Sequence, residues 1–309
     1  MEVRVQAIAV GYDVKDFEGA VLTVRKTALK GPGETLTPAF VADYQTRTGW
    51  RDKITSADRA AVIGAGLIDL LLKWPSDDRQ IGVWIEGQRR SNSIAIDELA
   101  PYELGPILAG LPRLPNTVVT VRETTWQRVD EIAGRLFALP VGRLDPILGT
   151  LAQVSTAAAA RRPADRLVPL WAALRHAAPT PRGDLAFATT HVQGRAFTQS
   201  ERERTPSWTT LASARGSIQR DHWFHEKLRR ALTGPARSVA DRMKAATIVA
   251  YAFRSAVAHG HWWPMDERRH QALAAEQWLW TLVERAIDIR VFGHRRPTVV
   301  AQTASAVQF

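Results

Sequence analysis

The feature that most constrains this chain is a change of hydrophobic period along its length. Residues 3–10 alternate, with Val3, Val5 and Ala7 against Arg4, Gln6 and Ile8. That is the period-two pattern of a half-buried strand. From residue 141 onward, apolar residues recur instead at the three- and four-residue intervals of a helix. Strand patterns followed by a run of helical patterns predict an α+β chain, with sheet and helices segregated along it. At roughly 100–200 residues per domain, 309 residues divide into two domains.

In the first part, residues 19–29 ("GAVLTVRKTAL") form a second strand pattern, and "YDVKDFE" supplies a turn, so the two strands are expected to pair as a hairpin. "GPGETLTP" is a loop by its glycine and proline content. "SADRAAVIGAGLIDLLLKW" is a helix with Ser56 as its N-cap. "QIGVWIEG" and "NTVVTVRE" are further strands, and "TTWQRVDEIAGRLFAL" is another helix. Residues 1–140 therefore make an α/β domain, expected to act as a sensor or regulator. "GAGLID" is not a nucleotide-binding loop, because its glycines lie inside a helical pattern and the third glycine of that fingerprint is absent. Close helix packing explains these glycines better.

Residues 141–293 make the helical domain, and residues 294–309 a peripheral tail. Pro163 punctuates the first helical stretch. Residues 179–207 are expected to hold a long loop, with "QSERERTPS" its most polar part. Helical patterns then cover 208–232, 236–259 and 266–291. Charge is just as uneven. Residues 1–150 hold 18 Lys and Arg against 19 Asp and Glu, a net of −1; residues 151–309 hold 23 against 12, a net of +11. A basic second half suits a polyanion, most commonly nucleic acid. The chain has no cysteine, which excludes disulfides and thiolate metal sites and fits a reducing compartment. The first ten residues lack the pattern of a signal peptide, and no apolar run approaches the ~20 residues of a membrane helix. A cytoplasmic protein without a membrane partner is expected.

The chemistry concentrates in "YAFRSAVAHGHWW", Tyr251 to Trp263. Val239, Met243, Ala246, Ala250, Phe253 and Val257 form one apolar stripe, and Arg254 flanks it. His259 follows five residues later. Five helical steps give ~500° of rotation, so the two side chains diverge by ~140°, while the axial separation is only ~7.5 Å. Gly260 suits the left-handed position that ends a helix, and Pro264 opposes continuation. A long arginine side chain at such an end can curl toward the imidazole and share one phosphate with it.

"FRSAVAHG" resembles the R-x(4–6)-H motif of the HEPN superfamily, in the "RSxxxHG" form of its Apea-like branch. Upstream, "ADRLVPLWAALRHAA" (Ala164 to Ala178) is similar to the early helix of that branch: Trp171, Ala173 and Leu174 match its "W-x-A-L-E" pattern, and Arg175 replaces the glutamate. The resemblance covers residues 150–293. It implies an all-α bundle, a homodimer, and a metal-independent ribonuclease in which Arg254 and His259 are the catalytic pair. Ser255 stands where active members often carry Asn, Asp or His, and would support the pair.

RNA brings its own nucleophile, the 2′-OH. A histidine can move the protons, and an arginine can hold the phosphoryl oxygens with two hydrogen bonds. One histidine cannot readily serve both proton transfers at once, whereas two copies across a two-fold cleft can. His261 is a further candidate phosphate contact, and Lys227, Arg229 and Arg230 a candidate RNA-backbone patch. The plainer alternative is a histidine favoured by the helix C-terminal dipole beside a salt-bridged arginine. "DHWFHEK" places His222, His225 and Glu226 near one another, but the spacing matches no strong zinc signature. Trp208, Trp223, Trp262 and Trp263 are core residues by default and stacking platforms by exception.

Two functions follow as expectations. The first is an endoribonuclease acting without cofactor, as a toxin or antiviral-defence effector, with a regulatory ligand or protein at the first domain. A ring-nucleotide sensor of the CARF type would suit that place, though no residue there specifies one. The second is a non-catalytic HEPN module that binds RNA or a protein.

Overall fold

The structure is a computed structural model that describes residues 1–30, 36–72, 79–90, 119–160, 162–177, 199–217, 238–259 and 265–293. The chain forms two compact units, Met1–Ala159 and Ala160–Phe309. The architecture is α+β: an antiparallel sheet with helices comes first, and a helical region follows.

In the first unit, β1 (Glu2–Val10), β3 (Phe17–Glu18), β4 (Leu22–Lys30), β5 (Leu36–Arg47), β6 (Arg79–Ile85) and β7 (Gln88–Arg89) form one sheet in the order β3-β4-β5-β1-β6-β7. β2 (Tyr12–Asp13) and β8 (Val119–Thr120) pair separately, in parallel. Leu22, Tyr44, Val5 and Val83 face one another across four strands, and all four are buried. Cross-strand partners share a face, so this row marks the core side of the sheet. Helix α1 (Lys53–Leu72) lies on that side: a Cβ on Gly64 would stand 2.6 Å from Val5 Cγ1. Helix α2 (Glu123–Ala138) lies there too, with Trp126 edge-on to Phe40 at 4.9 Å. The other face is more polar. Arg4 grips Asp43 through Nε and Nη2, Gln6 Nε2 donates to the same carboxylate, and the Arg4 guanidinium sits 5.3 Å from the Trp84 ring.

Several expectations change here. Residues 3–10 and the strand near 19–29 do not form a hairpin: β1 pairs with β5 and β6, and β4 pairs with β5. The reason is that β1 is buried on both faces. Gln6 and Ile8, on the polar side, are only 2 % and 3 % exposed, which suits a central strand. Because the sheet is antiparallel, the first unit is α+β rather than α/β. "LTP" of the expected loop opens β5, and residues 31–35 lie outside the described residues. Asp52, not Ser56, caps α1: its Oδ1 accepts the N–H groups of Ile54 and Thr55 at 2.8 and 3.1 Å, while Ser56 is fully buried.

The boundary also moves. Helix α3 (Val141–Ala159), expected in the second domain, belongs to the first unit. A Cβ on Gly66 would meet Leu151 Cβ at 2.6 Å and its backbone at 3.1 Å, so α1 and α3 nearly touch there. The glycines of "GAGLID" are packing residues on both counts.

The second unit holds α4 (Pro163–Ala177), α5 (Gln199–Glu203), α6 (Trp208–Ser217), α7 (Val239–Ala258) and α8 (Met265–Phe292). The expected loop at 179–207 therefore contains a short helix, and the tail 294–309 lies outside the described residues. Trp171, Phe253, Trp278 and Trp280 fill the core and are at most 2 % exposed. Buried polar groups are paired across helices. Glu276 Oε1 accepts from Arg166 Nη1 at 2.8 Å and from Trp280 Nε1 at 3.1 Å, and Arg285 Nη1 meets Glu201 Oε2 at 2.7 Å. Trp278 Nε1 donates to Thr247 Oγ1, which donates in turn to Met243 O. Such cross-helix networks fix which helix faces which. Among the described residues, no helix is long and apolar enough to cross a membrane.

Candidate functional site

The candidate site is the C-terminal end of α7. The helix begins at Ser238, whose Oγ accepts the Asp241 N–H at 3.1 Å, with Asp241 adding a negative charge in the first turn. The expected stripe is buried through its middle: Met243, Ala246, Ala250 and Phe253 are at most 2 % exposed. Its ends differ, since Val239 is exposed and Val257 half-buried. Burial extends well beyond the stripe, to Ala245, Thr247, Ile248, Val249 and Ala252, so α7 is an inner helix.

Two segments distant in sequence meet on this helix. Trp171 of α4 packs edge-on against Tyr251 of α7, with ring centroids 5.0 Å apart. "LWAAL" and "YAFRSAVAH" thus lie side by side, and the aromatic pair fixes the turn just before Arg254. Tyr251 was not singled out from the sequence. Its place three residues before Arg254, on the same helical face, was the signal available.

Arg254 is half-buried, and its Nε is shielded from solvent without a hydrogen-bond partner. Among the described residues, no carboxylate forms an ion pair with it. A buried unsatisfied donor costs about 1–3 kcal/mol, and a guanidinium can donate two hydrogen bonds to phosphate oxygens.

His259 is exposed and caps the helix at φ −95° and ψ 10°, its N–H donating to Ser255 O at 3.0 Å. That bond keeps its Cα on the helical spiral, so the divergence of ~140° from Arg254 persists at the backbone. Ser255 is 2 % exposed, so its hydroxyl does not face solvent. Ala256 is buried and Ala258 exposed.

His261, Lys227, Arg229 and Arg230 lie outside the described residues, as do Gly260, His222, His225, Glu226, Trp223, Trp262 and Trp263. Trp208 is half-buried at the start of α6. Among the described residues, no group of three or more His, Asp or Glu is placed to hold a metal ion. Arg175 is exposed in the last turn of α4, where basic residues suit the dipole. No family model, curated protein or solved structure matches the chain.

Proposed function

We propose that this protein is a metal-independent endoribonuclease whose second unit is a HEPN-like helical domain, with Arg254 and His259 as its reacting groups. One observation carries the reading. Arg254 stands without an ion pair among the described residues, its Nε buried and unpartnered, one and a half turns from an exposed histidine. The packing of Trp171 on Tyr251 adds support, because it joins the two segments that carry the family resemblance.

In this reading Arg254 holds the scissile phosphate and stabilises charge on its non-bridging oxygens. The imidazole of His259 removes the 2′-OH proton or protonates the leaving 5′-oxygen. The 2′-oxygen attacks phosphorus, the bond to the 5′-oxygen breaks, and the products carry a 2′,3′-cyclic phosphate and a 5′-hydroxyl. Because the two side chains leave α7 in divergent directions, two copies of the helix facing one cleft would supply the second imidazole. The basic balance of the second half suits an RNA substrate. A toxin or defence role in the cytoplasm, with control through the first unit, is part of the same proposal.

A second reading is a non-catalytic HEPN module that binds RNA or a protein. The burial of Ser255 and the divergence of Arg254 from His259 favour it. Purified protein incubated with RNA and with its 2′-deoxy analogue, in the presence of a chelator, separates the two. The ribonuclease reading expects cleavage of RNA alone, lost in Arg254→Ala and in His259→Ala. Cleavage that survives both substitutions or needs added metal refutes the mechanism. RNA binding without cleavage favours the module.

A further inference from the structure

The first unit contains an open groove of about 740 Å³ where the start of α1 meets the junction of α2 and α3. Its volume lies within the ~300–1,000 Å³ of small-molecule sites. One wall is apolar: Leu139 and Val141 line it, with the edge of Trp50. Trp50 is held in place, its ring 5.8 Å from Phe137 and its Nε1 directed at Leu139 O. The other wall carries charge. Arg51 is exposed, and Arg59 is half-buried with its Nη1 on Thr55 Oγ1 at 2.9 Å. Among the described residues, neither arginine has an ion pair. The acidic group lining the groove is Asp52, whose carboxylate is engaged by the N–H groups of Ile54 and Thr55. Those N–H groups are thereby satisfied, so the helix end itself offers no anion site.

We propose that this groove binds a small phosphomonoester carried on an apolar or planar body, of the size of a nucleoside monophosphate. Two guanidiniums opposed by one engaged carboxylate leave a net positive rim, and the planar fork of arginine matches phosphate oxygens. Thr55 Oγ1 accepts from Arg59 Nη1 and so holds that guanidinium at the groove. The apolar wall takes the uncharged body. The site lies wholly within the first unit and does not depend on the ribonuclease reading.

Gly49 supplies an independent handle. It lines the groove, and a Cβ added there would meet nothing within 4 Å. Gly49→Leu therefore adds an apolar side chain to the groove lining, with room for its Cβ, and leaves both arginines in the chain. The test is calorimetric titration of the full chain with adenosine 5′-monophosphate, adenosine and inorganic phosphate. Saturable binding of the monophosphate is expected, with adenosine and phosphate each at least ~10-fold weaker, since neither engages both walls. Gly49→Leu and Arg51→Ala/Arg59→Ala should each weaken the monophosphate at least ~10-fold, whereas Arg254→Ala/His259→Ala should leave it unchanged. Circular dichroism checks that each variant is folded. Equal binding by both groove variants, loss in Arg254→Ala/His259→Ala instead, or no binding up to millimolar monophosphate would overturn the proposal.

Discussion

The Arg166–Glu276 pair gives the sharpest test of how the second unit is held together. Arg166 of α4 is 12 % exposed at its side chain and Glu276 of α8 is 4 % exposed, at 2.8 Å. Arg166 also donates from Nε to Ala160 O at 2.7 Å, and Glu276 Oε1 accepts the indole N–H of Trp280. Arg166→Met removes the cation and leaves a buried carboxylate with one neutral donor. Breaking a buried pair this way costs about 3–5 kcal/mol. Arg166→Met/Glu276→Leu removes both charges and leaves only two neutral groups, Ala160 O and the Trp280 indole N–H, without these partners, so most of that penalty should be regained. With a urea slope near ~2 kcal/mol/M, the single variant should lower the unfolding midpoint by roughly 1.5–2.5 M, and the double variant by much less. Equilibrium urea unfolding, followed by tryptophan fluorescence and by circular dichroism, measures both. A double variant as unstable as the single one, or less stable, would show that the desolvation argument is wrong. The pair would then be contributing net attraction rather than fixing how α4 sits on α8.

Other perturbations test separate parts of the structure. Gly66→Ala forces a Cβ against the backbone of Leu151, so overpacking of ~1–3 kcal/mol should exceed the helix-propensity gain of up to ~1 kcal/mol and lower Tm in a thermal scan. Gly64→Ala should cost less, because side-chain atoms of Val5 and Tyr44, and no backbone, are its nearest neighbours. The backbone N–H groups of Thr55 and Ile54 hold the Asp52 carboxyl below its ordinary 3.8. A carboxylate depressed on folding stabilises above its unfolded value and loses that effect as pH falls through the folded one. Asp52→Ala should therefore lower Tm at pH 7, and the gap from the parent should close as pH drops below 3.8. Ser255 is buried, so Ser255→Ala should leave RNA cleavage largely unchanged, whereas Arg254→Lys should depress it by losing the two-pronged phosphate contact. Cleavage assays on folded variants decide between these outcomes.

Period carried most of the fold into view. The alternation of Val3, Val5 and Ala7 marks the buried side of β1, and the helices near 123–138, 163–177, 239–258 and 265–292 follow their apolar spacing. Strand pairing was not legible, because alternation specifies a face and not a neighbour. β1 and β4 look like hairpin partners until Gln6 and Ile8 prove buried and place β1 at the centre. Asp52 is hard to see as a cap because Ser56 begins the visibly apolar run, yet the cap lies one turn earlier. At the candidate site, Arg254 and His259 stand out through the resemblance carried by "FRSAVAHG", since spacing alone sets them ~140° apart. Trp171 beside Tyr251 could not, since 80 residues separate them and their contact depends on how α4 packs on α7. That no ion pair forms at Arg254 among the described residues is equally invisible in the sequence, because it depends on which carboxylates the fold brings near.

The contact between Gly66 and Leu151 bears on where the chain can be divided. A fragment ending at Pro140, where the composition changes, would strip α3 from α1 and bare the helix face around Gly66 to water. It would also sever the Leu139–Val141 wall of the groove beside Trp50. Division between Ala159 and Pro163 leaves both intact and passes between the two compact units. Dissection of the two activities proposed for this protein, ligand binding in one unit and RNA cleavage in the other, belongs at that later joint.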